Sequence, residues 1–129
     1  MNLNEAIKSL VKEMHNQIGF KSLPTVKLRK DEENGQKLLG KTAFYSPHEN
    51  LIVIYVTNRH PKDVLRSLAH ELIHHHQNER GDLGQNSTTP GYAQEDGHMR
   101  NMEKEAYLKG NMCFRDWEDN LKYRQWWMF

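Results

Sequence analysis

Leu3, Ile7, Leu10, Val11, Met14 and Ile18 recur three or four residues apart, the spacing of one helical face. They predict a first packing helix running to about Gln17, capped by Asn2 or Asn4 and ended by Gly19. After Pro24 the period changes to two, with Val26 and Leu28 alternating with Lys27 and Arg29 as in an amphipathic strand. Asp31 to Gly35 reads as a turn with Asn34-Gly35 at its tip. A second strand is expected over Leu38 to Tyr45, a turn over Ser46 to Asn50, and a third strand over Leu51 to Thr57. The third strand is almost continuously apolar, which makes it the most buried. Leu65, Leu68, Ala69, Leu72 and Ile73 restore the helical period, Pro61 suits a first turn, and Asp63 favours its positive end. A second helix is therefore expected over Pro61 to Glu79. Gly81 to Gly97, with four glycines, Pro90 and Ser87-Thr88-Thr89, has no period and reads as a long loop, either a flap or substrate-contacting loop or a plain insertion. A last helix is expected from near His98 to Trp117 and Leu121, broken or bent at Gly110-Asn111. The tail Trp126-Trp127-Met128-Phe129 is apolar enough to dock on its own domain or to meet a partner protein.

These elements make an α+β fold, expected as one domain over residues 1–129: an N-terminal helix, a small and mainly antiparallel sheet, a central helix and a C-terminal helix. Composition narrows the partners. A formal net charge of +1 argues against a protein built mainly to grip nucleic acid, and the cations between Lys8 and Lys41 are not interleaved with stacking aromatics. Mean hydropathy is −0.92, and no apolar run nears the ~20 residues that span a bilayer. Glu5, Lys8 and Lys12 interrupt any signal-peptide core, and Cys113 is a single cysteine, so a cytoplasmic, reducing setting is expected.

Candidate chemistry lies inside the second expected helix, at His70-Glu71-Leu72-Ile73-His74. Histidines four residues apart stand about 6 Å apart along a helix axis and can reach one metal ion from the same face. Glu71 lies too far round the helix to be an easy third ligand, but it is placed to take a proton from a water on the metal. A shuffled chain with the same eight histidines would hold this pattern roughly 0.04 times, so chance is a poor explanation. The plain alternative is a histidine-rich surface helix, since His75 and His76 follow directly. With the pair at His70 and His74 already spaced for a metal, His75 and His76 are better suited to packing or to bracing the ligands than to ligation, and His15, His48 and His60 to ordinary surface or core roles. A catalytic zinc takes three protein ligands and a water, and His98, Glu103 and Glu105 are the downstream candidates for the third.

The His-Glu-x-x-His helix, the preceding strands and the downstream Glu103-Lys104-Glu105-Ala106 together resemble the gluzincin branch of the zincin metallopeptidases, over about residues 38–110. The resemblance implies one zinc ion held by His70, His74 and Glu103, with Glu71 as general base and Ala106 letting the two helices approach. It implies a polypeptide substrate, paired along an edge strand for which Lys41 to Ser46 is the candidate. The chain departs from the thermolysin pattern at Tyr107, where an aspartate often braces a ligand histidine, so that partner is unassigned. In its small size the chain also resembles minimal metallopeptidases, including SprT-like proteins and small proteins encoded by tailed phages. SprT-like sites use a third histidine, which keeps His98 as an alternative ligand. Glu105 stands two residues from Glu103 and should point away from it. Tyr92, His98, Arg100 and Tyr107 are the candidates for an oxyanion donor. Two other readings compete: a non-catalytic zinc-binding structural or partner-binding protein, and a hydrolase of some other amide. Glu71 favours catalysis, because a structural zinc has no use for a base.

Overall fold

Asn2 closes the first helix through its own side chain. Its oxygen accepts the Glu5 N–H at 2.8 Å and its amide donates to the Glu5 carboxylate at 2.8 Å. Gly19 ends that helix with a left-handed φ of 83°, its N–H donating to the His15 carbonyl. The computed structural model describes residues 1–37, 40–83 and 92–127, with the backbone alone for 92–96 and 124–127. Among these residues the chain runs α1 (Leu3–Ile18), β1 (Thr25–Arg29), α2 (Glu32–Gln36), β2 (Ala43–Ser46), β3 (Leu51–Tyr55), α3 (Pro61–Glu79) and α4 (Tyr92–Trp127). This is the expected α+β layout.

The sheet has the order β1-β3-β2. β1 pairs in parallel with β3, Thr25 opposite Leu51, and β2 pairs antiparallel with it, Ala43 opposite Ile54. The sheet is therefore mixed. β3 is its central strand, and its Ile52, Val53, Ile54 and Tyr55 are all buried, as their continuous apolar run requires. The turn expected over Asp31 to Gly35 is instead the short helix α2. The Asp31 carboxylate accepts the Asn34 N–H at 3.0 Å and so caps a helical turn where an Asn-Gly hairpin was expected. β2 starts only at Ala43, and the expected strand start at Leu38 lies outside the described residues.

α3 matches its expected span of Pro61 to Glu79, with Pro61 in the first turn and Asp63 near the positive end. Its Val64, Leu65, Leu68, Leu72 and Ile73 fill the core with Ala6, Ile7, Leu10 and Met14 of α1 and with the inner face of the sheet. Arg59 ties the sheet to the start of this helix. Its guanidinium donates to the Thr42 and Tyr55 carbonyls at 2.9 and 2.8 Å, and to the Asp63 carbonyl and Ser67 hydroxyl at 2.9 and 2.7 Å.

α4 corrects two expectations. It is already helical at Tyr92, within the stretch read as loop to Gly97, and it runs through Gly110-Asn111 without a break. Gly110 is needed for a different reason: a Cβ there would stand 3.0 Å from both the Cα and the N of His70. Together with fully buried Ala106, it lets α4 lie against α3 beside His70, Glu71 and His74. Farther along, Phe114 and Trp117 enter the core, and the Trp117 indole donates to the Ser9 hydroxyl of α1 at 2.9 Å. Residues 84–91 of the expected loop and the side chains of the aromatic tail lie outside the described residues. Among the described residues no helix is long and apolar enough to cross a membrane.

Candidate metal centre

His70 and His74 stand one turn apart on α3 with their rings 4.9 Å between centroids, and the close approach of α4 brings Glu103 across to both. The Glu103 carboxylate meets His70 Nε2 at 3.1 Å through Oε2 and His74 Nε2 at 2.9 Å through Oε1. Each residue offers one donor atom, and the three atoms lie within 4.8 Å of one another. Two ligands about 2.1 Å from one tetrahedral ion stand about 3.4 Å apart, so the spacing suits a single small cation. Two imidazoles and a carboxylate, with one position left open, are a donor set that zinc takes and that other divalent transition metals also accept.

Glu71 is buried next to this group, 8% exposed. Burial, reinforced by the Glu103 carboxylate and opposed by His74, pushes its pKa up to about 7. Burial also lowers the pKa of His70, with His74 adding to the effect, which favours the neutral imidazole that a metal requires. Glu71, His74 and Glu103 line one open cleft of about 880 Å³, whose far wall is Phe44 and Tyr45 of β2. β2 is an edge strand, so one side of its backbone is unpaired within the sheet. Tyr45 fixes this strand over α3: its hydroxyl donates to His75 Nδ1 at 3.0 Å and accepts from Asn78 at 3.1 Å, while His75 Nε2–H donates to the Ser22 carbonyl at 2.7 Å.

The other candidates sort by place. His98 is outside the donor group, and its ring donates to the Asp82 carbonyl. Tyr107 and Arg100 line a separate recess on the His70 side, and neither lines the cleft that holds Glu71. The side chain of Tyr92 lies outside the described residues. Glu105 points away from the donor group, as its spacing required, and accepts from Arg80, Lys109 and Gln77 at 2.7 to 2.8 Å.

Two residues enter the site that the sequence does not single out, Gln77 and Asn78, and a third, His48, enters it in place of its expected surface or core role. Asn78 and His48 line the cleft with Glu71. Gln77 is fully buried with its Oε1 2.8 Å from His74 Nδ1. Asn78 and Gln77 carried a readable signal, because positions 74, 77 and 78 share a helical face. His48 carried none, since a turn between strands has no such period.

Compared with protein-family models, curated proteins and solved structures, the chain matches none, so the functional reading rests on this geometry.

Proposed function

We propose that the protein is a zinc-dependent peptidase in which Glu71 is the general base. The observation that carries this reading is the convergence of His70, His74 and Glu103 at the edge of a cleft into which a buried carboxylate, Glu71, also faces. A metal held only for structure needs no such carboxylate. Zinc, when bound, supplies Lewis-acid polarisation of the scissile carbonyl and makes water more acidic. Glu71 takes the proton from the attacking water on a carboxylate oxygen and returns it to the departing amine. The unpaired side of β2 offers backbone N–H and C=O groups to an extended peptide, with Phe44 and Tyr45 beside its side chains. His48 and Asn78 are the polar side chains of the cleft closest in role to an oxyanion donor, while Arg100 and Tyr107 line the separate recess.

Zinc content and cleavage of a broad peptide library test the reading together. The purified protein should bind about one zinc per chain and cleave library members, and Glu71→Gln should keep the metal while losing at least ~100-fold in rate. His74→Ala and Glu103→Ala should lose the metal. Stoichiometric zinc in Glu103→Ala would remove Glu103 from the ligand set. Zinc-loaded wild-type protein that cleaves nothing in the library leaves a metal-stabilised binding protein as the better reading.

A further inference from the structure

Gln77 is a fully buried amide with all three of its available partners polar, and the peptidase chemistry does not use it. We infer that Gln77 is a positioning residue that holds His74 in the tautomer able to bind metal, with the Met102 carbonyl and Glu105 together fixing which way round the Gln77 amide stands. This role rests on the reading of His74 as a ligand.

The amide's orientation is fixed by which of the surrounding atoms carry hydrogens. The Gln77 nitrogen stands 2.9 Å from the Met102 carbonyl and 2.8 Å from Glu105 Oε1, two groups that only accept, and its two hydrogens satisfy both. Reversing the amide would set three acceptors against one another in a buried place with no hydrogen between them. The oxygen of Gln77 must therefore face His74 Nδ1, at 2.8 Å, and it too can only accept. Nδ1 then carries the hydrogen, and the Nε2 lone pair is left pointing to the side where Glu103 stands. Arg80 and Lys109, 2.7 and 2.8 Å from the Glu105 carboxylate, hold that carboxylate charged and in place. Two of the amide's partners, Met102 and Glu105, belong to α4, so the ligand nitrogen on α3 is set by the helix that also brings Glu103. If Gln77 only filled a polar gap between helices, its loss would cost stability and leave the imidazole tautomer untouched.

The tautomer is read directly from histidine nitrogen NMR of the metal-free Glu103→Ala protein, in which the competing carboxylate at Nε2 is gone. Neutral His74 should appear with its hydrogen on Nδ1, and a hydrogen on Nε2 would overturn the role. Zinc affinity gives the second measurement. Gln77→Leu should bind zinc about 10–100-fold more weakly than wild type. Glu105→Ala, which keeps the Met102 carbonyl as one anchor for the amide, should lose less. Wild-type affinity in a folded Gln77→Leu protein would overturn the role; if that variant does not fold, the tautomer measurement decides. Wild-type protein that takes up no zinc would overturn the metal-centre reading and this role with it. Zinc-binding wild type with an unaffected Gln77→Leu would overturn this role alone.

Discussion

Glu79 ends α3 with both carboxylate oxygens in use. Oε1 accepts the Lys21 N–H and Oε2 the Ser22 N–H, each at 2.9 Å, which fastens the α1–β1 connection to the end of α3. Burial alone would raise its pKa; those two N–H groups, with His75 and the Ser22 hydroxyl, outweigh it and hold the carboxyl below its ordinary 4.5. A lowered carboxyl stabilises the fold above its unfolded pKa and loses that contribution as pH falls through the folded one. Glu79→Gln turns one acceptor oxygen into a donor and should cost about 1–2 kcal/mol at pH 7. By thermal melts, the gap to wild type should shrink as pH drops below about 4.5, where Glu79 in the unfolded chain takes up a proton before the folded one does. The other histidines show what a sequence can and cannot say at this scale. His15 Nδ1 accepts the Phe20 N–H, His60 Nδ1 accepts the Lys62 N–H at the start of α3, and His75 is buried against Tyr45. His70 and His74 could be picked out by their spacing around Glu71. The roles of Gln77 and His48 depend on which atoms of distant residues face them, and that information is not local.

At the scale of elements, α3 was legible to its ends because Pro61, the apolar period and the first-turn Asp63 agree on one answer. Gly110 hides the unbroken course of α4 for the opposite reason: a glycine inside a helical pattern looks like a breaker until the neighbour it touches is known. The parallel pairing of β1 with β3 was hidden in the same way, because no local turn records it. Gly110→Ala sets two effects against each other. Alanine favours the helix by about 1 kcal/mol, while a methyl 3.0 Å from the His70 backbone forces α3 and α4 apart at a cost of about 1–3 kcal/mol. The backbone contact cannot swing aside as a flexible side chain would, so the second effect should win. The variant should melt lower than wild type and bind zinc several-fold more weakly, as read by calorimetric titration.

For the molecule as a whole, the donor group spans α3 and α4, so a bound ion would staple two helices that otherwise meet through apolar packing, the Gln77 contacts with Met102 and Glu105, and the Lys62–Glu118 ion pair. Free zinc at 100 times its dissociation constant would add about 2.7 kcal/mol to stability. For a chain of this size that corresponds to a melting point roughly 8–12 °C higher, which a chelator should remove and which Glu103→Ala should not show. One further property follows from α4 being unbroken. Gly110, where it bears on the His70 backbone, lies seven residues from Glu103 and seven from Trp117. Each arm is therefore about 10 Å long. The helix is a balanced lever with its fulcrum at the glycine, so tilting one arm displaces the other by a similar distance in the opposite direction. Trp117→Phe, which removes the hydrogen bond to Ser9 at the far arm, should loosen the carboxylate at the near one. A measurable fall in zinc affinity from a change some 20 Å away along the helix would show it, and unchanged affinity would show that α4 bends where the lever needs it stiff.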